Sequence, residues 1–217
     1  MKILKYILAA ILAIIIGTAC YVGYGFWKVT HGKQVDLGVK YTEQTYDDAV
    51  AKKAGVFVND KGSLYLGSKF RTEGEQHIDQ TFSSEEISAI QNYSNSTKGP
   101  FHDVQIKFLS NNQIEASGIV SDPRVPQTGP VYVKGTLWNT GPRSFDIAVS
   151  DLKVGDYVVP APIVAQAKAE FIGYVNNILS GIDGLKVEKV EIKDGGVRFV
   201  GNIPKKVYGY DTDIVTK

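Results

Sequence analysis

Among residue types able to carry chemistry, this chain offers three histidines, one cysteine and scattered carboxylate pairs, and their spacing decides what they can do. His31, His77 and His102 are dispersed, with no His-Glu-x-x-His run or clustered carboxylate loop to complete a metal set. His77 and Asp79 fall on one side of the backbone if that stretch is extended, which reads as a solvated polar edge before it reads as a metal or acid–base site. Asp47-Asp48 and Glu85-Glu86 open expected helices, where negative charge complements the helix dipole. No Gly-x-Ser-x-Gly elbow or phosphate loop is present, and Cys20 lies inside an apolar run. No catalytic residue, metal ligand or cofactor site is therefore assigned, and the chain is not read as an enzyme. An envelope hydrolase ranks third among the functional readings. The overlapping sequons at Asn92 and Asn95 sit in an Asn/Ser-rich stretch and carry meaning only in a eukaryotic secretory host.

The elements that would position any site begin with the N-terminus. Lys2 and Lys5 precede Tyr6 to Trp27, a charge-free run of about 22 residues against the roughly 20 a helix needs to cross the hydrocarbon core. Tyr21, Tyr24, Phe26 and Trp27 gather at its far end, where amphipathic rings favour the interface. We read residues 1–28 as an uncleaved signal-anchor, with a lipoprotein at Cys20 and a cleaved signal peptide as alternatives. The bulk of the chain is placed on the extracytoplasmic side of the cell membrane, by the habit of N-terminal anchors rather than by charge, since Lys28 and Lys33 nearly balance Lys2 and Lys5.

The remainder divides into a linker over 29–41, a single domain over 42–204 and a tail over 205–217. Of its 217 residues 43% are hydrophobic and 22% charged, which is a globular mix, and a net charge of +1 gives no concentrated basic surface for nucleic acid. Thr42 should cap a short helix ending near Gly55, and Ser83 to Glu86 has capping-box spacing for a second. Leu64 to Phe70 reads as a strand. Period-two alternation marks hairpins over Val104 to Val120 and Val131 to Ser150, and Val187 to Ile203 reads as a last one turned by Asp194-Gly195-Gly196. Pro162 opens a long helix from Ile163 to Ser180, stopped by Gly181. Its stripe of Ile163, Ala167, Phe171, Tyr174, Val175, Ile178 and Leu179 should lie against the sheet. The fold class is α+β: a transmembrane helix, two short helices, and a curled antiparallel meander packed on one long helix.

The anchor, Phe82-Ser83-Ser84-Glu85-Glu86-Ile87 opening a short helix, the hairpin Val104 to Val120, Val154-Gly155-Asp156-Tyr157-Val158-Val159-Pro160 leading into the long helix, and Val187 to Ile203 as the final hairpin resemble YpmS-like Gram-positive membrane-anchored proteins. These look related to the tubular lipid-binding (TULIP-like) class of the bacterial envelope. The resemblance covers a little over half the chain, and Val35 to Arg71 has no counterpart in it. It implies a long helix in a curled antiparallel sheet, an apolar channel, and lipid or amphiphile binding without catalysis. Ile163, Ala167, Phe171, Val175 and Leu179 would then line one wall of a groove, with Val133, Leu137, Phe145 and Ile147 opposite. On the residues alone a closed core is the commoner outcome for such a helix. The rival function is an envelope protein-interaction or scaffolding module using Tyr132, Trp138 and Tyr157 as aromatic anchors.

Overall fold

The computed structural model describes residues 32–63, 69–95, 99, 101–121 and 129–210. The expected transmembrane run lies outside them, and among the described residues no helix is long and apolar enough to cross a membrane. The structure is mixed α+β, with mostly antiparallel strands and a long helix in the C-terminal half.

Residues 32–42 form neither helix nor strand yet are more than a linker: Leu37 and Val39 are buried, and the Leu37 N–H donates to the Gln105 side chain at 2.7 Å. α1 (Glu43–Asp47) starts at Thr42, whose hydroxyl accepts from the Thr45 N–H, and continues as a π-helical segment, Asp48–Lys53. A two-residue strand β1 (Phe57–Val58) and a 3-10 turn (Lys61–Ser63) lead to β2 (Lys69–Ser83), a 15-residue strand where the alternation is too polar to have announced itself. α2 (Ser84–Asn95) follows directly. Ser83 and Glu86 exchange the two hydrogen bonds that their spacing allows, at 2.8 and 3.2 Å.

β3 (Phe101–Phe108), β4 (Gln113–Val120), β5 (Gly129–Gly141), β6 (Ser144–Val154) and β7 (Tyr157–Val158) form one antiparallel sheet in chain order. After α3 (Ala161–Ser180) come β8 (Lys186–Lys193) and β9 (Gly196–Tyr210), which make a second sheet with β1 and β2. β9 is its spine: β2 pairs along one side from Ser83 to Lys69, and β8 and then β1 share the other. Two expectations change here. The chain read as a tail from 205 continues as β9 to Tyr210, and Pro204 is accommodated because it falls between the stretches of β9 paired to β8 and to β1. The single meander is instead two sheets, because β2 pairs with β9, and β9 with β8, apart from the hairpins that lie between β2 and β8 in the chain.

The sheets join through the outer edge of β8. The Ile192 N–H donates to the Asn112 side chain at the β3–β4 turn, and the Val187 N–H to the Pro142 carbonyl at the β5–β6 turn, at 2.7 Å. Arg143 secures the same junction by donating to the Ser180 and Leu185 carbonyls, both at 2.8 Å. At Gly201 a side chain would run into the Lys186 carbonyl 2.1 Å away, so only glycine lets β8 and β9 approach at their bulge.

Candidate functional site

The five-stranded sheet has two unlike faces. On one, the register stacks Ile106 on Ala116, Ala116 on Val133 and Val133 on Leu152, with Phe108 on Ile114, Gly118 on Val131, Val131 on Val154, and Leu137 on Ile147. Every member of these pairs is apolar or glycine, and Asn139, opposite Phe145, is the polar residue at the end of the face. On the other stand Gln105, Lys107, Glu115, Tyr132, Lys134, Asp151 and Lys153. A face so uniform in a two-layer domain is ordinarily covered by a helix, which makes its central strand the most buried. Here Val131, Val133 and Leu137 of the central β5 are only half-buried, as are Ile114, Val149 and Leu152 beside them.

The reason is where the helices lie. α2 lines the open edge of β3: Ser84 Oγ accepts from the Phe108 N–H at 3.0 Å, and Ser88 Oγ from the Ile106 N–H at 2.8 Å. Asn92 completes the row, accepting from the Val104 N–H at 2.9 Å and donating to the Val104 carbonyl at 2.7 Å. Spaced four apart on one helical face, these three side chains substitute for a neighbouring strand. α3 serves the opposite edge. Asn176 accepts from the Phe145 N–H and donates to the Phe145 carbonyl, each at 2.9 Å, and Lys168 pairs with Asp146 at 2.8 Å.

This placement corrects the expectation that the long helix presses its apolar stripe on the sheet. Its half-buried line is Val164, Lys168, Ile172, Val175, Asn176, Ile178 and Leu179, so only the C-terminal part of the stripe (Val175, Ile178 and Leu179) turns inward. The flank bearing Ile163, Ala167 and Phe171 is exposed, with Ile163 at 55% and Phe171 at 50%. The unpaired backbone of β6 attracts the helix through Asn176, a polar residue that a hydrophobic-stripe reading passes over. Of the other wall residues, Ile147 is buried while Val133, Leu137 and Phe145 are only half-buried. Leu137 and Ile147 are directly paired, and Val133 lies on the same face. The equivalent positions Ile114, Val131, Val149 and Leu152 were not singled out in the sequence, although the same alternation marks them.

The remaining sequence candidates are engaged elsewhere. His77 and Asp79 lie on the outer side of the second sheet, both exposed. His77 faces Glu188 at 3.3 Å, and Asp79 takes a bidentate pair from Arg198 at 2.7 and 2.8 Å. The hydrogen bonds from Arg198 hold the Asp79 carboxyl below its ordinary range and raise the guanidinium in turn. Among the described residues no three His, Cys, Asp or Glu side chains gather to hold a metal. Of the aromatic anchors, Trp138 is exposed and Tyr157 half-buried. Tyr132 donates to Glu115, which also receives Lys134 at 2.9 Å. Burial first, and the Glu115 charge second, push the Tyr132 phenol up to about 12. Asn92 is committed to β3, so a glycan on its amide would break that edge. A hollow of about 230 Å³ beside α1 is lined by Tyr46, Val50, Val56 and Lys61, below the size of a usual ligand pocket.

No family model, curated protein or solved structure matches the chain.

Proposed function

We propose that the protein is a membrane-anchored extracytoplasmic domain that binds lipid or a similar amphiphile without catalysing a reaction on it. The supporting observation is the incompletely buried apolar face of the β3–β7 sheet, bordered by α3, whose own apolar flank of Ile163, Ala167 and Phe171 is exposed. An acyl chain gains about 0.8 kcal/mol for each CH₂ group it buries, so such a surface repays a chain far better than a polar solute. The fine reading follows: residues 1–28 hold the protein in the cell membrane, and Val133, Leu137, Phe145 and Ile147 face the ligand together with the α3 flank. The YpmS-like and TULIP-like resemblance agrees with this assignment.

Native mass spectrometry of residues 28–217 purified without detergent tests it. A stoichiometric lipid that is lost in Phe171→Asp is expected. A bare domain of the calculated mass would transfer the assignment to the rival module, for which the exposed Trp138 is the anchor.

A further inference from the structure

The described chain begins at Gly32, packed so tightly on the β6–β7 turn that a side chain there would meet Gly155 Cα at 2.3 Å and the Asp156 N–H nitrogen at 2.4 Å. Gly155 is itself fixed, buried and donating to the Pro130 carbonyl at 2.7 Å. That turn precedes β7 and the start of α3, so the chain comes in at the end of the sheet where β3 and β5 start and β4 and β6 finish. Gln34 keeps the segment on this end by donating to the Asp103 carbonyl at 2.7 Å.

Three large apolar side chains stand exposed there: Val35 at 36%, Val158 at 60% and Ile163 at 55%. Their position matches the length of chain between the apolar run and Gly32. The apolar run ends at Trp27, and the five steps from there to Gly32 reach at most about 18 Å. If the run is held in a bilayer, this end of the domain cannot stand far from that bilayer.

We propose that Val35, Val158 and Ile163 form a docking rim that rests in the interface of the bilayer holding the N-terminal segment. The occupant is the lipid surface itself. The α3 flank then leads from the rim at Ile163 through Ala167 to Phe171, so the apolar surface opens directly onto lipid. The inference rests on the anchor in the reading above, but is independent of whether a lipid occupies the sheet face.

The test uses the full chain with Cys20→Ser, reconstituted in phosphatidylcholine–phosphatidylglycerol vesicles and checked by flotation. A bimane label is placed singly at Val35→Cys, Val158→Cys, Ile163→Cys, or at Asp194→Cys in the exposed β8–β9 turn, which lies by the far end of β3. Headgroup-region doxyl lipid should quench the three rim labels at least about twofold more than the label at Asp194. Val158→Asp with Ile163→Asp should bring the label at Val35 down to the Asp194 level. Equal quenching at all four sites, or a Val35 signal that survives the two aspartates, overturns the rim. A chain that fails to float overturns the rim and the anchor together. Quenched rim labels with a lipid-free soluble domain keep the rim and remove the ligand, and lipid in the domain without rim quenching does the reverse.

Discussion

α2 and α3 do the same job on opposite edges of one sheet, and do it differently. α2 supplies Ser84, Ser88 and Asn92 in a row, and Ser84 and Ser88 are buried. α3 supplies Asn176 to the β6 backbone and leaves an apolar flank exposed. An edge strand must have its backbone groups covered or it becomes a template for another chain, and either arrangement meets that need. Only the first also closes the helix against the sheet. The contrast separates a helix that belongs to the core from one whose apolar flank stays exposed.

The contrast is sharpest in stability. Asn92→Leu removes both bonds to the buried Val104 and strands its backbone, and should cost about 3 kcal/mol in urea unfolding of residues 28–217. Ser88→Val strands the Ile106 N–H and should cost about 2 kcal/mol. Asn176→Ala, at a half-exposed site, should cost only about 1 kcal/mol, and a loss equal to that of Asn92→Leu would abolish the distinction between the helices. Phe171→Asp should shift stability by less than about 0.5 kcal/mol while removing bound lipid, whereas a loss of several kcal/mol would show the flank to be core after all. The smallest effect concerns pH. Because Arg198 depresses the Asp79 pKa in the folded state, the pair's contribution is present above the ordinary aspartate value of 3.8 and is lost as pH falls through the lowered one. Asp79→Asn should therefore slightly flatten the acid limb of the unfolding curve, and added salt should do the same, as the pair is exposed.

How much could be read in advance depended on the kind of signal. The β3–β4 turn was legible because Asn111 and Asn112 tolerate the left-handed backbone, with φ at 58° in both. The β8–β9 turn was legible because Gly195 supplies a φ of 82°. β2 was not legible, since Arg71, Glu75, His77 and Asp79 face solvent and Gln76 and Gln80 interrupt its inner side. The wall residues on β5 and β6 were found by alternation, and the stripe on α3 by its period, but neither pattern says which surfaces end up facing each other.

The sequence by itself determined the local grammar: which stretches alternate, where helices cap and where the chain turns. Those properties depend on neighbours a few positions apart. Only the tertiary structure decided that the strands divide between two sheets, that both helices go to edges, and that Ile163 and Phe171 stay exposed beside a half-covered face. The physical reason is that an open β edge and an apolar face compete for the same helix. Asn176 and the row from Ser84 to Asn92 resolve that competition through backbone groups far away in sequence, and no local pattern records where those groups will be.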